Sequence, residues 1–110
     1  MIQETLSQVR TKIEKSDSIN DESRKELLNL LSVLQSEIEH LSKTDLDHAE
    51  SIVGFAQASA HEAIRKEKKP DLFKLSVDGL EESVRGFDES HPRLVEIVNS
   101  ICTALSNLGV

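Results

Sequence analysis

The chain has 110 residues, 37% apolar and 30% charged, which is the size of one ordinary domain spanning 1–110 and the composition of a folded protein with long solvated helix faces. Its formal charge of −7, from 20 acidic and 13 basic residues, sets up a field that repels phosphate backbones and anionic lipid heads, so neither nucleic acid nor a membrane is an expected partner. Three Phe and no Trp or Tyr leave a core of Leu, Ile, Val and Ala, which suits helix packing and argues against a sheet.

Met1 is followed by Ile2, Gln3 and Glu4, without the basic start and apolar run of a signal peptide. No stretch approaches a membrane span, and a cytoplasmic location is expected. The single cysteine, Cys102, has no internal partner and sits among Val98, Ile101 and Leu105, where a small buried apolar role is expected.

The expected fold is all-α, a bundle of about five helices at 2–15, 21–42, 45–68, 71–88 and 92–108. In the first, Ile2, Leu6, Val9 and Ile13 recur at spacings of four and three and lie on one stripe. A polar connector follows, and Asn20 or Asp21 can accept from the free N–H groups that open the second helix. Leu27, Leu31, Leu34, Ile38 and Leu41 then form a seam of the coiled-coil type.

Between 21 and 53 there is neither Gly nor Pro, so the break after 42 rests on local chemistry. Thr44 and Asp47 stand at capping-box spacing, and Asp45 and His48 interrupt the apolar stripe. The alternative is one continuous helix over 21–68, about 70 Å long at 1.5 Å per residue. The third helix carries Ala49, Ile52, Val53, Ala56, Ala60, Ala63 and Ile64, mostly small, and closes on the run Arg65-Lys66-Glu67-Lys68-Lys69 before Pro70. That run reads as a solvated final turn that complements the helix dipole; an anion patch is the alternative, which the acidic whole opposes.

In the fourth helix Phe73, Val77, Leu80, Val84 and Phe87 form one stripe, and Ser76, Gly79, Ser83 and Gly86 form a second, small one. Glycine in a helix interior costs about 1 kcal/mol relative to Ala, so two of them a heptad apart imply a close approach, by a neighbouring helix or by a ligand. The fifth helix opens at Ser90-His91-Pro92, with Pro92 in the first turn and Ser90 or His91 as cap. From Ile97 to Val110 there is no charged side chain, and Gly109 offers a stop. Such a helix, with Asn99, Thr103 and Ser106 as its polar remainder, is expected at the centre of the fold or in an oligomer interface.

No phosphate loop, dinucleotide fingerprint, nucleophile elbow or HExxH motif is present. The nearest approach to a catalytic or metal motif is Glu37 with His40 and Asp45 with His48, each a carboxylate and an imidazole three apart, as in di-iron bundles. On a helical wheel, however, His40 falls about 140° from the Leu seam and His48 about 95° from the next helix's stripe, which points them away from a core site. His61 reads as a surface residue. His91 reads as a structural residue of the turn, closing it by capping a neighbouring helix; a pH switch is the alternative.

The segment Phe87-Asp88-Glu89-Ser90-His91-Pro92-Arg93-Leu94, continued by Ile101-Cys102-Thr103-Ala104-Leu105-Ser106-Asn107-Leu108-Gly109-Val110, resembles the ending of a bacterial family, domain of unknown function 4404. Asp21-Glu22-Ser23-Arg24-Lys25-Glu26-Leu27-Leu28 is similar to that family's first long helix. Typical members are shorter, which makes 45–70 look like an addition. The resemblance implies no activity, substrate or catalytic residue. The expected function is therefore a non-enzymatic helical interaction protein, without cofactor and homo-oligomeric as a dimer or higher, using Ser76, Gly79, Ser83, Gly86, Asn99, Thr103 and Ser106 as interface. The alternative is a helical metal-binding or small-ligand protein, with Glu37, His40, Asp45 and His48 or the Gly79–Gly86 groove as its site.

Overall fold

The computed structural model describes residues 1–108, so the proposed stop at Gly109 lies outside the described residues. Five helices follow one another: α1 (Ile2–Lys15), α2 (Asp21–Ser42), α3 (Leu46–Ile64), α4 (Pro70–Ser83) and α5 (Pro92–Ser106). The chain is all-α, with no strand among the described residues, and measures 37 × 24 × 22 Å.

Short links make successive helices neighbours, and α2, α3, α4 and α5 close into a four-membered ring in which α5 returns to α2. α1 packs on α2 and α3 and reaches neither α4 nor α5. The apolar stripes meet in one core, with Leu6, Ile13, Leu27, Leu34, Ile38, Leu41, Ile52, Leu80, Leu94 and Leu105 fully buried.

The central helix is α3, which touches all four others. That place was expected of the uncharged last helix, and the difference has a physical reason. α3 buries Ala49, Ala56, Ala60 and Ala63 along with Ile52 and Val53, and small side chains let several axes approach at once. α5 buries Leu94, Ile97, Val98, Ile101, Cys102, Ala104 and Leu105, but its Asn99, Thr103 and Ser106 side faces solvent.

The ends of the helices follow from where their unpaired backbone groups find partners. Asn20 caps α2, its Oδ1 accepting from Ser23 N–H at 2.8 Å. α2 and α3 are separate, not one continuous helix: the carbonyl of Leu41 accepts from the N–H groups of Thr44 and Asp45, at 3.1 and 2.8 Å. The cap of α3 is Asp45, whose side chain accepts from His48 N–H at 3.2 Å, in place of the Thr44–Asp47 box read from spacing.

α3 ends at Ile64, four residues before the predicted 68. Its last carbonyls are taken by side chains from outside the helix, since Lys68 Nζ donates to Ala63 O and Ser18 Oγ to Ile64 O. Pro70 both bars continuation and serves as the first residue of α4, where its missing N–H costs nothing.

α4 ends at Ser83 rather than at the predicted 88. Successive tight turns carry Val84 and Phe87 back to the core side, and Gly86 adopts φ +92, a left-handed conformation that residues with a side chain rarely take. A β-carbon on Gly86 would meet nothing within 4 Å, so this glycine answers a conformational need and is not part of a close-packed helix face. α5 starts at Pro92 as predicted and ends at Ser106, two residues before 108.

Candidate functional site

The carboxylates and histidines singled out by spacing do not converge. Glu37 is mostly buried at the α2–α5 contact and lies 3.6 Å from Arg93 Nε, while His40 is exposed. Asp45 is committed as a helix cap and also holds His48, with Asp45 Oδ2 and His48 Nδ1 2.7 Å apart. Among the described residues no three His, Cys, Asp or Glu side chains gather as a metal site requires.

What does assemble around His48 is aromatic. His48 and Phe87 meet edge to face with ring centres 5.3 Å apart, and Phe87 and His91 do the same at 5.5 Å. The stack ties the α2–α3 turn to the α4–α5 turn. His91 is the cap residue of α5, yet its imidazole caps neither helix: it packs on Phe87, with Nδ1 3.0 Å from Ser90 Oγ. Its backbone N–H donates to Phe87 O at 2.8 Å, which closes the turn before Pro92.

The small stripe predicted on the fourth helix is only partly covered within the chain: Gly86 is exposed, and Gly79 and Ser83 are half-buried beside a shallow groove. Ser76 is buried and donates to Phe73 O, Ser83 donates to Leu80 O, and Gly79 lies beneath the ring of Phe55 from α3. The close approach implied by Gly79 is therefore a helix–helix contact. Of the predicted interface residues, Gly86, Asn99, Thr103 and Ser106 are solvent-facing, and Asn99 and Thr103 border an open groove of 560 Å³ walled by Glu26, Leu30 and Glu96.

Two features escaped sequence reasoning. Leu75 is 68% exposed on α4, and Leu72 and Phe55 are partly exposed; they fall between recognised stripes, and only the position of the neighbours decides their exposure. The other is that the run at 65–69, for which an anion patch is the alternative reading, meets two lysines of α1 where α1 and α3 end. Lys12, Lys15, Arg65 and Lys66 border one cavity of 630 Å³, although Lys12 and Lys66 are 54 residues apart in the chain.

Cys102 is buried, and burial, with the nearby charges of Glu81 and Asp78, pushes its thiol up to about 12 from an ordinary 9.0. A nucleophilic role needs the thiolate, which this setting disfavours.

The fold and its surfaces define a small helical bundle in which Asp45 serves as a cap and His48 and His91 as ring contacts. The chain belongs to the family described as Domain of unknown function (DUF4404), which it matches over residues 2–110, the segment 45–70 included. No curated protein and no solved structure matches it significantly. No described helix is long and apolar enough to cross a membrane.

Proposed function

We propose that this protein is a non-enzymatic helical interaction module of the cytoplasm that associates with a second copy of itself through α5. The observation that carries this reading is the exposed side of that helix. In a chain with 30% charged residues, Asn99, Ser100, Thr103 and Ser106 face solvent on a helix with no charged side chain after Glu96. Interface cores are depleted of charge, because desolvating a charge without a partner is costly, whereas free surfaces tolerate it. A two-fold pairing would set Asn99, Thr103 and Ser106 against their own copies, with Glu26 and Glu96 of the adjoining groove left at the solvated rim.

Sedimentation equilibrium over a wide concentration range tests the reading. A dimer or higher species is expected, and Thr103→Lys, which places a charge at the contact, should weaken it by about tenfold or more. A strictly monomeric chain overturns the proposal. Loss of association on Leu75→Lys but not on Thr103→Lys would move the contact to α4 and overturn the assignment to α5.

A further inference from the structure

We propose that the cavity between the C-terminal ends of α1 and α3 binds a small phosphate-type polyanion, held by Lys12, Lys15 and Lys66. The cavity has a volume of 630 Å³, within the range of about 300–1,000 Å³ that small-molecule sites occupy. Its lining carries four cations, Lys12, Lys15, Arg65 and Lys66, against one carboxylate, Asp17. Arg65 is matched by Glu62 at 2.9 Å, but among the described residues no acidic group lies within ion-pair distance of the three lysines.

Arg10, Lys25, Lys43 and Lys68 also lack a carboxylate partner among the described residues, but none of them borders this cavity. Arg24, Lys69, Lys74, Arg85 and Arg93 each have a carboxylate partner. The two helix ends that meet at the cavity account for part of the cluster, since each contributes about half a negative charge. With Asp17 the total is about two negative charges, which leaves the three lysines in excess by about one.

Lys12 Nζ lies 3.3 Å from His61 Nδ1, a contact that brings no carboxylate to this ammonium. The hydroxyls of Thr11 and Ser16 border the same space and Ile64 forms an apolar wall, which gives a ligand polar partners and a surface to lie on. Lysines bind phosphate as point charges, without the planar fork that selects a single carboxylate. The overall charge of −7 does not forbid such a site, because charges farther off than about 8 Å are screened at physiological ionic strength. A long polyanion would still meet the acidic remainder of the surface, and a compact one would not.

Titration of isotope-labelled protein with inorganic pyrophosphate, followed by NMR at physiological ionic strength, tests the proposal. Saturable shifts confined to the amides of 11–18 and 61–66 are expected. Lys15→Gln should weaken binding by about tenfold, the double variant Lys15→Gln/Lys66→Gln by more, and Lys43→Gln, at the far end of α2, by nothing measurable. No saturable response, or equal weakening by Lys43→Gln, overturns the site. Co-sedimentation with phosphatidylcholine vesicles containing phosphatidic acid separates two sources of the same chemistry. Retention that pyrophosphate displaces supports a lipid headgroup in this cavity; pyrophosphate binding without retention supports a soluble phosphate. None of these readouts depends on self-association through α5.

Discussion

The ring of Phe55 on α3 occupies the space that a β-carbon on Gly79 of α4 would fill, with Cδ1 and Cε1 far inside van der Waals contact of that point. Adding the methyl group therefore displaces a ring that is only 39% exposed, while the helix gains about 1 kcal/mol of intrinsic preference for Ala over Gly. The two effects oppose each other. Gly79→Ala should leave stability unchanged or lower it in the native sequence, yet raise it by about 1 kcal/mol in a Phe55→Ala background. Chemical denaturation of the four proteins in the cycle measures this, and additive effects would refute the contact.

Arg24 fastens the α1–α2 turn. Its guanidinium donates to the carbonyls of Ile13 at 3.3 Å, Ser16 at 2.6 Å and Ile19 at 3.1 Å, and to Asp21 Oδ1 at 2.5 Å. Arg24→Ala strands several part-buried carbonyls and should cost about 2 kcal/mol. Arg24→Lys should recover less than half of that, because an ammonium lacks the planar fork that reaches several acceptors. By comparison, Arg85→Ala, which breaks an exposed pair with Glu82, should change stability by less than about 0.5 kcal/mol in the same unfolding assay.

Ser59 lies fully buried in α3, and its hydroxyl has no hydrogen-bond partner among the described residues. Burying such a group unpaired costs about 1 kcal/mol or more, and Ala has the same backbone with better helix preference. Ser59→Ala should therefore raise stability by about 1 kcal/mol, seen as a rise in Tm of about 4 °C or more. A lower Tm would show that the hydroxyl does have a partner.

Cys102 gives the fold a dependence on alkaline pH. Its thiol holds its proton up to about 12 in the folded chain, against an ordinary 9.0, so the folded state binds more protons than the unfolded state between these values. The stabilisation is complete below pH 9 and is lost as pH rises toward about 12. The difference in stability between the native protein and Cys102→Ala should shrink over that window, which separates the thiol from the lysines that titrate there. At pH 8 a maleimide should modify Cys102 only as fast as the fold opens.

The five helices were legible because their apolar spacing and their end signals agree: Asn20 and Pro92 do in the structure what their chemistry suggests. Where tertiary contacts decide, the sequence misleads. The early end of α3 depends on donors from Ser18 and Lys68, which no local pattern announces. The left-handed turn at Gly86 stayed hidden because Phe87 keeps helical spacing with Val84 and Leu80 while the backbone leaves the helix. The missing charge of α5 could mean burial inside the fold or a face kept for a partner, and both follow from the same cost of desolvation. The lysine cavity draws on segments some 50 residues apart and becomes visible only once α1 and α3 are laid side by side.

The placement of α1 has one more consequence. It touches only α2 and α3, while α5 touches α2, α3 and α4 and does not reach α1. Any influence passing between α1 and α5 must cross the packed layer of α2 and α3, so the same leucines and alanines that hold the bundle together would also be its only line of communication.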